Sequence, residues 1–138
     1  MYVVYPAIFY KDKESGYTVV FPDFDGGATC GDNQQDAFYM AQDWLGCVLY
    51  DYYVENKEFP KSSNVEDIVI EDDEYAIKEE SFVTLVGLDI VDYVKKVDKK
   101  TVKKNVTIPS YLNEMGKNMN INFSKVLTEA LEKEFDID

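Results

Sequence analysis

The sequence predicts an α+β fold in two parts: an antiparallel sheet with a covering helix, then a small strand–helix–helix unit. Three observations predict it. Short apolar segments separated by Gly- and Asp-rich turns crowd the first 31 residues. The apolar period then becomes helical from Ala37 to Tyr52. Finally, the charge balance changes sign near residue 95.

Met1 to Phe9 form the first expected strand, and Lys11 to Gly16 a polar turn. Tyr17 to Phe21 form the second. After the turn Asp23-Phe24-Asp25-Gly26-Gly27, residues Ala28 to Gly31 form a short third strand. Strands this closely spaced join most economically as antiparallel hairpins. Asn33 with Asp36 resembles a capping arrangement, and Ala37, Met40, Ala41, Trp44, Leu45, Val48 and Tyr52 keep helical spacing, so this helix covers one face of the sheet. Asn56 to Asn64, containing Pro60-Lys61-Ser62-Ser63, reads as a loop. Ser81 to Leu88 reads as a strand returning to the same sheet, and Asp89 to Val97 as a short helix. No internal repeat is visible. The lysine-rich stretch up to Thr101 is the natural boundary, which gives a domain over residues 1–97, a linker over 98–102 and a second domain over 103–138.

In the second domain, Lys103-Lys104-Asn105-Val106-Thr107-Ile108-Pro109 reads as a short alternating strand. Alternation puts Val106 and Ile108 on one face and Lys103, Asn105 and Thr107 on the other. Pro109 suits the first turn of a helix. Leu112, Met115 and Met119 give the first helical stripe; Val126, Leu127, Ala130 and Leu131 give the second, with Asn122 as its N-cap. A segment this small buries too little surface to fold as a monomer, so it is expected to dimerise. Two copies of the strand paired antiparallel would present six polar side chains on a ribbon that fits the DNA major groove. Base readout would then rest on Lys103, Asn105 and Thr107, with Lys104 neutralising phosphate. The N–H groups of Phe123 and Ser124 at the last helix's start would hold another phosphate. Every basic residue is Lys, so bidentate Arg–guanine recognition is absent.

Charge distribution agrees with a DNA end. The net charge is −13, but residues 1–94 carry 5 Lys against 20 acids and residues 95–138 carry 9 Lys against 7 acids. Hydrophobic content of 46% and 14% aromatics suffice for a packed core. No apolar run approaches the roughly 20 residues of a membrane span, and no basic region precedes the first apolar residues, so a cytoplasmic protein without membrane contact is expected. Cys30 and Cys47 lack CxxC spacing and there is no His to complete a zinc site, so both read as reduced core residues. No catalytic residue, metal site or cofactor is expected. Without His, and with no Cys near a base, nucleophilic or imidazole-based chemistry has nothing to work with.

The run from Val102 to Met115, with Ile121-Asn122-Phe123-Ser124-Lys125-Val126-Leu127 and Glu129-Ala130-Leu131, resembles the ribbon-helix-helix DNA-binding family, and within it the HicB antitoxins. Tyr5-Pro6-Ala7, Gly16-Tyr17, Phe21-Pro22-Asp23, Gly31-Asp32 and Asp36-Ala37 are similar to the N-terminal HicB domain, so the resemblance spans nearly the whole chain. It implies a partial ribonuclease H-like fold for the N-terminal domain. It further implies an mRNA-cleaving toxin partner, HicA, bound by residues unknown, and repression of the chain's own operon by a dimer on operator DNA. A basic RNA-binding toxin would be attracted to the acidic domain and occluded by it. Two departures stand out. Asn120 occupies the turn position where the family usually has Gly, and Gly116 sits inside a helix, where it costs about 1 kcal/mol relative to Ala. The alternatives are a stand-alone ribbon-helix-helix repressor whose N-terminal domain binds another ligand, and a metal-dependent ribonuclease using Asp12, Glu14, Asp23, Asp25, Asp32 and Asp36.

Overall fold

The computed structural model describes residues 1–136 and divides the chain into two compact units, Met1–Val97 and a second from Asp98 onward. The first unit contains the sheet. Strand β1 (Tyr2–Asp12) is flanked by β2 (Tyr17–Val20) and β4 (Ala76–Asp89), and β3 (Ala28–Gly31) lies outside β2, in the order β3-β2-β1-β4. All three pairings are antiparallel. Helix α1 (Gln34–Val54) covers one face, and α2 (Ile90–Val97) follows β4 directly. A single 3-10 turn, Val65–Asp67, interrupts the long connection between α1 and β4.

Pleat and helical period meet in one core. Tyr5, Ala7 and Phe9 alternate along β1 and pack with Val19, Val86 and Leu88 against Ala37, Ala41, Leu45 and Leu49, which recur every fourth residue of α1. The stripe is bounded by rings: Phe21 stacks on Trp44 at 5.1 Å between centroids, and Phe9 on Phe82 at 5.0 Å. Trp44 therefore belongs to the packing of the core. At the start of α1, Asn33 Oδ1 accepts from the Asp36 N–H at 2.8 Å and Asp36 Oδ2 accepts from the Asp32 N–H at 2.9 Å, a reciprocal cap.

Two details depart from the expected strands. Pro6 stands in β1, a central strand, where a missing N–H is normally excluded. Pairing with β2 begins only at Ile8, so at Pro6 the ladder exists on the β4 side alone. Strand β4 also begins at Ala76 rather than Ser81, because Lys11 and Asp12 continue pairing past an irregularity after Phe9. Ser81 repairs that bulge: its Oγ accepts from the Lys11 N–H and donates to the Ile77 carbonyl, each at 2.9 Å.

In the second unit, α3 (Ser110–Asn118) and α4 (Phe123–Glu134) are joined by a tight turn. Pro109 caps α3 from outside, its carbonyl accepting from Leu112 and Asn113. It therefore precedes the first helical residue. Asn120 adopts φ +53°, with its N–H on the Lys117 carbonyl and the Ile121 N–H on the Gly116 carbonyl, the Schellman closure of a helix end. Asn122 caps α4 by accepting from the Lys125 N–H at 3.1 Å.

Gly116 is more than a flaw in a helix. It is the buried residue of α3, and a Cβ there would collide with the ring of Phe123. A side chain there would require the Phe123 ring to move, a packing term that adds to the propensity cost of Gly116.

Candidate functional site

The candidate nucleic-acid residues all belong to the second unit. Residues 101–109 take part in no helix or strand within the chain. The expected ladder at Lys103–Pro109 is thus not formed by a single copy, since a strand needs a neighbour to complete its hydrogen bonds. Lys103, Lys104, Asn105 and Thr107 are exposed along it. So are Val106 and Ile108, 59% and 40% accessible, although alternation assigns them to a buried face. The helices repeat the pattern. Leu112 and Met115 on α3, Met119 at its C-cap, and Val126, Leu127 and Leu131 on α4 all remain exposed in one chain.

Phe123 and Ser124 are the first two residues of α4. A helix leaves its first N–H groups without intrahelical partners. Asn122 takes that of Lys125 through its side chain and that of Val126 through its carbonyl, so the first two stay directed out of the helix start. The ring of Phe123, by contrast, is committed to the Gly116 notch.

The first unit carries the acids. Asp12 accepts from the Thr18 hydroxyl at 3.2 Å, Asp23 accepts from Ser63 through both its N–H and its hydroxyl, and Asp36 serves the α1 cap. Half of the six carboxylates considered for metal chemistry therefore have local structural partners. Among the described residues no group of three or more metal-ligating side chains could hold a metal ion, and no helix is long and apolar enough to cross a membrane. The Tyr5 phenol donates to the Pro60 carbonyl at 2.6 Å. Burial, and then the Asp23 charge, raise that phenol above its ordinary 10.0.

Both cysteines are exposed, which corrects their assignment to the core. Cys47 lies on the outer side of α1 and contacts the Tyr93 hydroxyl at 3.0 Å. Cys30 lies on the edge strand β3, where the pleat turns it outward. Of the aromatics considered as partner anchors, Tyr39 and Tyr53 are exposed, whereas Trp44 and Tyr52 pack against Phe24.

Comparison with known proteins adds a family. The family model described as the HicB-like antitoxin of bacterial toxin–antitoxin systems matches residues 5–133. Antitoxin HicB 2 of Photorhabdus laumondii is 36% identical over 67 residues, 49% of this chain and 48% of that protein, so the match spans about half of that relative's length. An uncharacterised 14.9 kDa protein from the rep-hol intergenic region of Haemophilus phage HP1 is 28% identical over 110 residues, 80% of this chain and 76% of that protein. Among solved structures, a toxin–antitoxin complex from Streptococcus pneumoniae superposes with a TM-score of 0.64 and 30% identity, covering 97% of this chain and 99% of that one. The antitoxin HicB of Burkholderia pseudomallei shares the fold at 24% identity and a TM-score of 0.53, over 94% and 96% of the two chains.

Proposed function

This chain belongs to the HicB-like antitoxin family of bacterial toxin–antitoxin systems, and from that premise we propose that it inhibits an mRNA-cleaving HicA-type toxin and represses its own operon. The first unit, read as a partial ribonuclease H-like fold without catalysis, binds the toxin. Its excess of acids competes with RNA for a basic toxin surface and speeds the encounter. The second unit, preceded by the linker 98–102, dimerises as a ribbon-helix-helix over residues 103–138 and enters the operator major groove. Lys103, Asn105 and Thr107 read bases there; Lys104 and the N–H groups of Phe123 and Ser124 hold phosphates. The protein works in the cytoplasm, where both toxin and DNA are found.

One observation carries the DNA half: the apolar stripes of α3, α4 and the segment before them are uncovered in a single chain, and a run of six lysines between Lys95 and Lys104 precedes them in the sequence. A second copy buries the first and aligns the second. The toxin half is supported by the likeness to the Streptococcus pneumoniae complex.

The test combines growth and binding. Cells expressing the cognate HicA-type toxin should arrest, and this chain should relieve the arrest and co-purify with the toxin. On operator DNA, Asn105→Ala or Thr107→Ala should cost about 1–3 kcal/mol and relax sequence preference, while Lys104→Ala weakens all DNA evenly and lowers the salt slope. Operator affinity unchanged in both ribbon variants would falsify the ribbon assignment; arrest that persists would reject the antitoxin half.

A further inference from the structure

Within the first unit, β1, β4, α1 and α2 enclose a groove of about 380 Å³ that is open to solvent. Its walls include three tyrosines, Tyr2, Tyr39 and Tyr93, and Leu88 lines it from the core side. Two of the rings rest on glycines. A Cβ at Gly87 would lie 2.7 Å from Cε1 of Tyr2, and one at Gly46 would lie 2.5 Å from Cε2 of Tyr93. Any other residue at either position would fill the space its ring occupies. Cys47 holds the Tyr93 hydroxyl, and Gln42, also in the groove, donates from Nε2 to the Gly87 carbonyl at 2.8 Å. Tyr93 and Gln42 are thereby held in place, and the Tyr2 ring lies against the Gly87 backbone. Tyr2 and Tyr39 still expose 66% and 62% of their surface. Large amphipathic rings grouped in this way are the usual anchors of protein interfaces.

The charged groups lining the groove are Asp43, Asp89, Asp92 and Lys96. Asp89 is engaged, accepting from the Val91 and Asp92 N–H groups at 3.0 and 3.2 Å and pairing with the Met1 ammonium at 3.5 Å. The carboxylates of Asp43 and Asp92 accept no hydrogen bond and form no ion pair among the described residues. Phenol faces beside unpaired carboxylates suit a planar cation, because a guanidinium stacks on a ring and forks to a carboxylate at once. The surrounding domain carries 5 Lys against 20 acids over residues 1–94, so its field draws the occupant from a basic surface.

We propose that this groove seats an arginine side chain from the basic face of the toxin, an inference that rests on the antitoxin reading above. Arginine stacks between Tyr2 and Tyr39 and meets Asp43 and Asp92, and Lys96 opposes it.

Calorimetric titration of the full chain with a catalytically inactivated toxin tests the assignment. Tyr39→Ala, and the double change Asp43→Lys with Asp92→Lys, should each weaken binding about tenfold or more, the loss typical of an interface anchor. The double change Glu71→Lys with Asp73→Lys alters net charge equally in a different concavity, lined by Tyr10 and Tyr75. At physiological salt it should weaken binding only about threefold, through the screened field. Lys96→Ala should tighten binding, and Tyr39→Phe should retain it. All these side chains are exposed, so circular dichroism should match the wild type. Groove variants that bind like the wild type, or a control pair that loses as much as the groove pair, would overturn the groove while leaving the antitoxin reading intact. A wild-type chain that neither binds nor neutralises the toxin would overturn both.

Discussion

Gly116 shows how one missing atom can decide whether two helices close on each other. Its usual reading, a helix weakened by about 1 kcal/mol, predicts that Gly116→Ala stabilises the protein. A methyl group placed there forces the Phe123 ring out of its notch, and the packing lost is expected to outweigh the gain in helix propensity. Gly116→Ala should destabilise the second unit by about 1–3 kcal/mol, as overpacking does, and thermal denaturation of the variant checks it. Other residue roles in this turn were legible because they act at short range. Asn122 caps three residues ahead, and Asn120 takes the left-handed conformation that its side chain tolerates. The Gly116–Phe123 contact crosses the turn, and nothing in the local pattern announces it. The cysteines misled for a related reason. Cys is among the most buried residue types, but Cys30 faces outward on an edge strand and Cys47 sits on the helix face opposite the core stripe.

Elements with a clean period were legible, and those held together by exceptions were not. Ala37, Ala41 and Leu45 stand on one helical face in the sequence and line the core in the fold, which extends the stripe by one turn to Leu49. The start of β4 was hidden because Lys78, Glu79 and Glu80 are charged and exposed, and because pairing resumes only across the bulge that Ser81 fills. At the other end of β4, Asp89 turns the strand into α2. Its carboxyl is held below the ordinary 3.8, first by the Asp92 N–H, with the Met1 ammonium and the Val91 N–H adding to the effect and desolvation opposing it. A carboxyl depressed in the folded state contributes stability above its unfolded value, and that stability is lost as pH falls through the lower folded value. Amide exchange in α2 should therefore rise in that acid window before exchange in β1 does, and Asp89→Asn should remove most of the pH dependence. Protection in α2 that is indifferent to acid would count against Asp89 as the cap.

At the scale of the whole molecule, the two units differ in what they need. The first encloses its core among its own elements, from Tyr5 to Ile90. The second leaves its apolar stripes open. Residues 1–97 alone should melt cooperatively at a midpoint independent of concentration, whereas residues 98–138 alone should lose helicity on dilution; circular dichroism across a dilution series distinguishes the two. The groove between β1, β4, α1 and α2 also belongs to this scale. Its residues come from four separate elements, so no window of sequence contains it.

Those open stripes carry a consequence for regulation. If a second copy covers them, the folded population of the second unit follows mass action, and its stability cannot be separated from the number of chains per cell. When synthesis stalls, dissociated chains would expose α3 and α4 to proteases while the first unit stays intact. On the proposed function, silencing would then lapse before neutralisation does. The operon would reopen while the remaining toxin was still restrained, and the replenishment threshold would be set by an apolar seam rather than by a sensor.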